Sequence, residues 1–206
     1  MKRIIPSILL TSSIYASHSV DCGAFYTSHH ERGYSYDLGG ISLKYEIGNS
    51  KGLKAGGKVS VSNDSDLLFI VSNSELLYYV PIKSIEVFPF FGARTLTHEV
   101  YKKEGLIGNI NRVWAPVGVG ATAVFGNFIP QLRISYLFPL AHTFIESSSN
   151  DMYGQKYTLS PMYWIEAKCE YKLTDRFAAA LCADWEQDFH QKQRTITGEA
   201  YVSMKF

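Results

Sequence analysis

The chain has 206 residues, enough for one domain with a sizeable core. With 46% apolar and 19% charged residues and a mean hydropathy of −0.05, it is neither an extended disordered chain nor a bundle of membrane helices. No apolar run nears the roughly 18 residues that a spanning helix needs. The formal charge is +1, and without a Lys/Arg stripe there is no electrostatic case for nucleic acid as a partner.

In chain order the first feature is a leader. Met1-Lys2-Arg3 is a short positive region, and Ile4 to Tyr15 is an apolar stretch too short to cross a membrane. Small residues then allow cleavage after Ala16 or after Ser19. That order of features predicts an export signal over 1–19 and a single domain over 20–206. Removing Lys2 and Arg3 would take 20 basic residues to 18, against 19 acidic ones. Cys22 invites a lipoprotein reading, but Asp21 occupies the position before it where a small residue is needed.

From Tyr34 onward the dominant period is two, which predicts half-buried strands. Ile41, Leu43, Tyr45 and Ile47 alternate with Ser42, Lys44 and Glu46. Leu132, Ile134, Tyr136 and Phe138 alternate with Gln131, Arg133 and Ser135, and the same holds through 163–173 and 177–188. Strands are expected at 20–28, 34–47, 54–62, 67–81, 85–100, 112–125, 128–145, 157–173, 177–190 and 196–206. This gives about ten, with eight possible. The first has the weakest pattern, and 67–81 does not alternate cleanly because Leu67-Leu68-Phe69-Ile70-Val71 is apolar throughout.

Two kinds of connection alternate along the chain. Tight ones fall at Gly48 to Gly52, Ile82 to Ser84, Gly126-Asn127 and Thr174 to Arg176. Longer polar ones fall at Ser28 to Gly33, Tyr101 to Asn111 and Glu146 to Lys156, with shorter members at Asn63 to Asp66 and Gln191 to Arg194. An all-β, antiparallel, up-and-down transmembrane β-barrel produces that alternation, with both termini on the tight-turn side.

Alternation alone does not say which face meets apolar surroundings. Aromatic residues gather at two levels. Tyr45, Tyr78, Tyr79, Phe88, Phe91, Phe125, Phe128, Tyr171, Phe177 and Phe206 lie near the tight turns, and Tyr101, Trp114, Phe144, Tyr157, Trp185 and Phe189 near the other end. Such levels match the girdles that flank a lipid-facing band. The polar face carries charges through whole strands, namely Lys44, Glu46, Lys58, Arg94, Arg133, Glu166, Lys168, Glu170, Lys172, Asp184, Glu186, Asp188, Glu199 and Lys205. A barrel in lipid would turn these into its lumen. The last strand puts Gly198, Ala200, Val202, Met204 and Phe206 on one face.

With this leader, turn asymmetry and terminal Phe206, the sequence resembles the small outer-membrane β-barrel proteins of Gram-negative bacteria. The resemblance implies the bacterial outer membrane as location and its lipid as surroundings. It also implies that the barrel-assembly machinery reads Phe206, Met204 and Val202 during biogenesis. Met204 departs from the pattern, since an aromatic is common two residues from the end.

Cys169 and Cys182 flank the turn at 174–176. A two-residue turn would set them opposite each other but send Phe177 to the charged face. A three-residue turn pairs Leu173 with Phe177 and Cys169 with Leu181, which keeps apolar neighbours together. That register puts Cys169 toward lipid and Cys182 in the lumen, too badly directed to bond.

Catalytic candidates are sparse. Asp64 and Asp66 share one outer connection, and Asp188 and His190 would share a face of an extended strand, so that Asp188 could orient His190 as a base. The plan resembles that of the omptin outer-membrane proteases, but omptins are longer and build a cleft on tall strands, whereas the outer loops here read as short. His29-His30-Glu31 places two His on opposite faces, so no metal site is expected, nor any cofactor. The favoured reading is a non-enzymatic barrel whose interior charges pair and plug the lumen. Arg94, Arg133, Lys168 and Lys172 should each meet an acid. Its role is structural or surface-interacting, through an unidentified surface ligand or host factor. The alternatives are a small pore, a soluble secreted β-barrel holding an apolar ligand, and an omptin-like protease.

Overall fold

A two-residue period puts one set of side chains on each face of a pleated chain, and antiparallel neighbours then satisfy each other's backbone groups. The computed structural model describes residues 16–31, 34–49, 52–64, 67–102, 105–148, 151–155, 159–190 and 193–206. Its strands are β1 (Ala16–Glu31), β2 (Tyr34–Asn49), β3 (Leu53–Asp64), β4 (Leu67–Tyr78), β5 (Val80–Ile82), β6 (Ile85–Lys102), β7 (Gly105–Ala123), β8 (Phe128–Ser148), β9 (Asp151–Gln155), β10 (Met162–Lys172), β11 (Phe177–Asp188) and β12 (Gln193–Lys205). β4 and β5 form one stave, broken at Tyr79, because both pair with β6. β9 and β10 likewise share β8 as partner. The described residues thus make ten staves in an antiparallel ring, closed where β1 meets β12, from Ser19–Lys205 to Glu31–Gln193.

The orientation is the one a bilayer requires. Ile41 is 71% exposed, Leu181 67% and Val202 55%, whereas Glu166, Glu199 and Arg133 on the opposite face are 9%, 6% and 5% exposed. An outer wall of Ile, Leu, Val and aromatic side chains around a charged interior is stable only with hydrocarbon outside. A soluble barrel enclosing an apolar ligand would have the reverse arrangement, and that alternative is excluded.

The turn at Leu173–Arg176 takes the register that patterning selects. Cys169 pairs with Leu181 and Lys172 with Ala178, and the Leu173 amide donates to the Phe177 carbonyl at 2.9 Å. Cys169 is exposed on the outer wall and Cys182 is buried inside, and the three cysteines are free thiols.

Three expectations are corrected. The segments 28–33, 101–111 and 146–156 are not long loops: β1 runs to Glu31 before β2 starts at Tyr34, β6 and β7 continue to Lys102 and Gly105, and β8 and β9 to Ser148 and Asp151. A backbone ladder needs only a partner, so polar composition marks where the bilayer ends and not where the strand ends. The first strand starts at Ala16, ahead of the expected 20–28. Finally, Tyr79, Phe88 and Trp114 do not belong to outward girdles; all three are buried within the barrel. They join Phe25, Leu38, Phe69, Leu77, Phe90, Leu96, Leu137, Met162 and Trp164 in an internal apolar cluster. That cluster explains why 67–81 lacks alternation, since Phe69 and Leu77 are apolar on the lumen side while Ile70 and Leu76 are apolar on the other. Residues 1–15 of the leader expected over 1–19, and the side chains of Tyr101, Phe144 and Tyr157, lie outside the described residues.

Candidate functional site

The lumen is filled by the inward-pointing residue of each alternating pair. At its middle, the Arg94 guanidinium contacts Glu186 and donates from Nη1 to Asn73 Oδ1 at 3.2 Å. Arg133 reaches Glu75 at 2.5 Å and Glu166 at 3.4 Å. The Trp164 ring lies between these two cations, 5.1 Å from Arg94 and 5.2 Å from Arg133, and its Nε1 donates to Asp184 Oδ1 at 3.2 Å. Lys58 contacts Glu199 and lies 3.9 Å from Asp184.

Nearer the tight turns, Lys54 meets Glu46 at 2.8 Å and lies over the Tyr79 ring. Glu170 takes Lys205 at 2.8 Å and Lys168 at 3.3 Å. Lys44 is half-buried, with Glu46, Glu166 and Asp21 as its acidic neighbours. Each pairing offsets a desolvation cost of several kcal/mol per ion, so the charges hold one another in place inside the wall. Lys172 departs from the expected pairing. It makes no ion pair among the described residues and sits half-buried at the tight-turn end of β10.

Sequence reading named most of this network but missed Glu75, Lys54, Asn73 and Trp164. Glu75 lies in the stave without clean alternation, and its signal was the spacing Asn73-x-Glu75-x-Leu77. Two small cavities lie inside the barrel among the described residues. One cavity of about 30 Å³ lies on the outer side, lined by Phe25, His29, Phe69, Trp114, Glu186 and Thr195 among others. A second of about 30 Å³ lies toward the tight turns, lined by Glu75, Tyr79, Gln131, Arg133 and Tyr201 among others. Each has room for about two waters. Lys58 borders both.

The rim residues are placed differently from their expected arrangement. β11 ends at Asp188, whose buried carboxylate accepts the Gln193 amide at 3.0 Å, while His190 lies exposed in the turn beyond. The shared face that would let Asp188 orient His190 requires an extended strand through 190, and the chain has already turned. Asp66 and the side chain of Asp64 lie outside the described residues. His29 is buried, bonds Thr195 at 2.8 Å and stacks on Tyr36 at 4.8 Å, and His30 faces outward. Phe206 and Val202 project from the outer wall, with Met204 half-buried between them on the same face.

No protein-family model matches the sequence, and no curated protein is similar to it. Solved structures are similar in fold. The outer membrane protease OmpT of Escherichia coli superposes with a TM-score of 0.52 at 8% identity, over 93% of this chain and 96% of that one. The translocator domain of the autotransporter NalP of Neisseria meningitidis gives 0.50 at 10% identity, over 92% and 88%. Neisserial surface protein A gives 0.40 at 11% identity, over 93% and 99%. A closed antiparallel ring with an apolar outer wall and a charged interior defines the class: the chain is an antiparallel β-barrel with the exterior of a membrane-embedded one, and it shares its fold with OmpT and the NalP translocator domain.

Proposed function

We propose that this protein is a non-conducting outer-membrane barrel that works through its outer rim, not through its lumen. The observation that carries the reading is the ion-paired layer of Arg94–Glu186, Glu75–Arg133–Glu166 and Lys58–Glu199, which stands between two water-sized cavities among the described residues. A solute could cross only by separating these pairs, at a cost of several kcal/mol each. The outer ends of the strands then offer the surface for a ligand or host factor. The terminal strand, with Val202, Met204 and Phe206 on its outer face, serves as the assembly signal.

The pure protein in planar lipid bilayers tests the reading. The wild-type barrel should give no stable single-channel steps, and Arg94→Ala with Glu186→Ala should open a measurable leak. Regular steps from the wild-type protein would favour a small pore and overturn the plug.

A further inference from the structure

Alternation and register bring a second chemistry together inside the ion-paired layer. Glu166 on β10 sits directly across from Asp184 on β11, and Cys182, two residues earlier on β11, shares that inward face. One carboxylate oxygen from each acid and the Cys182 Sγ lie within 4.8 Å of one another, and all three residues are buried. Glu199 on β12 is the cross-strand partner of Cys182, so its carboxyl points to the same place. Its Oε1 is held by Lys58, but its buried Oε2 has no hydrogen-bond partner among the described residues. Asp184 and Glu199 share one ammonium, Lys58, while Glu166 has the longer contact of Arg133, whose closer partner is Glu75, and Lys44 as a charged neighbour.

We propose that Glu166, Cys182, Asp184 and Glu199 form a binding site for a thiophilic divalent cation of the zinc and cadmium class. One thiolate with carboxylates is a donor set such ions accept, with metal–oxygen distances of about 2.0–2.2 Å and metal–sulfur of about 2.3 Å. Ligand atoms around such an ion are about 3.3–3.8 Å apart, so Glu166, Cys182 and Asp184 need side-chain movements of about 1 Å to meet it, and Glu199 joins by swinging its free Oε2 in from the neighbouring strand. Binding moves the Lys58 ammonium off Glu199, and the Cys182 thiol releases its proton to solvent, because the thiolate is the ligand. With one of the ion's two charges balanced by the new thiolate, binding adds a net single positive charge beside the carboxylates and ties β10, β11 and β12 together at mid-lumen.

The test uses the full barrel refolded in detergent with Cys22→Ser and Cys169→Ser, which removes the two outer-wall thiols. Cadmium ion alone is the titrant, and the readout is thiolate-to-cadmium charge-transfer absorption. The proposal expects absorption that saturates at one ion per barrel and is displaced by zinc. Cys182→Ser should abolish it, and Glu199→Gln should weaken binding about tenfold or more, with each variant keeping its heat-dependent electrophoretic shift. Lys58→Met should bind more tightly. No absorption from the folded protein overturns the site, and so does absorption unaffected by Glu199→Gln. Binding seen only with Lys58→Met would show that the ammonium holds the position in the native barrel, and overturns it too. Conduction is not measured here, so this result is independent of the plug.

Discussion

Arg133 is the residue whose removal most directly probes the lumen. Its guanidinium pairs with Glu75 at 2.5 Å and with Glu166 at 3.4 Å, lies 4.1 Å from the centre of the Phe90 ring, and has a side chain only 5% exposed. Arg133→Met keeps the length and apolar contact of the stem but leaves two buried carboxylates without their main cation. Breaking a buried ion pair from one side costs about 3–5 kcal/mol. Glu166 retains Lys44 and Lys58 as charged neighbours, so the lower figure applies. With a urea dependence of about 1–3 kcal/mol per molar, a loss of about 3 kcal/mol lowers the unfolding midpoint by about 1–3 M. The assay is urea unfolding of the barrel in lipid vesicles, followed by tryptophan fluorescence, since Trp164 lies against Arg133. Adding Glu75→Gln and Glu166→Gln removes the stranded charges and should restore stability to within about 1 kcal/mol of wild type, because neutral replacement of a whole buried network costs little. An unchanged midpoint for Arg133→Met, or a triple variant as weak as the single one, would refute the idea that these charges are held by mutual pairing.

Other consequences can be measured in the same way. Ile134 faces outward at mid-strand, so Ile134→Lys should cost about 2–4 kcal/mol in vesicles, whereas Leu173→Lys at the tight-turn level should cost about 1 kcal/mol or less; equal costs would remove the bilayer from the picture. A Cβ on Gly120 would meet the ring of fully buried Phe88. Gly120→Ala should therefore destabilise by about 1–3 kcal/mol, with recovery when Phe88→Leu is added, and wild-type stability for the single variant would contradict this. The leader should be cut after Ala16. Ser17 Oγ donates to the Gly48 carbonyl at 3.1 Å, and His18 and Phe206 exchange backbone bonds of 3.4 and 2.9 Å that close the ring. N-terminal sequencing of protein from outer membranes should begin at Ser17, and a start at Val20 would refute it.

Much of this architecture is legible before folding. Alternation is a local property, so it separates Ile134 from Arg133 and Glu199 from Val202 without any knowledge of the partner strand. The β10–β11 register is local too: a slip by one residue would exchange Phe177 with the charged face, and the chain takes the register that avoids this. Polarity, in contrast, misplaced the outer ends of the strands. It reports contact with water, and a hairpin above the bilayer can be wet on its surface and still fully paired along its backbone.

Alternation assigns each side chain to a wall or to the interior, because successive Cβ atoms must point to opposite faces of a strand; that much belongs to the sequence. What a side chain meets across the lumen depends on barrel closure. Arg94 and Glu186 are 92 positions apart and on non-adjacent staves, and no spacing in the chain encodes their contact. Phe88 and Trp114 differ: each lies an even number of residues from a buried arginine on its own strand, Arg94 and Arg112, so alternation turns them inward and nearness to a strand end is the wrong guide. The convergence of Glu166, Cys182, Asp184 and Glu199 arises only when three strands lie side by side in register, which is a property of the ring and not of any one segment.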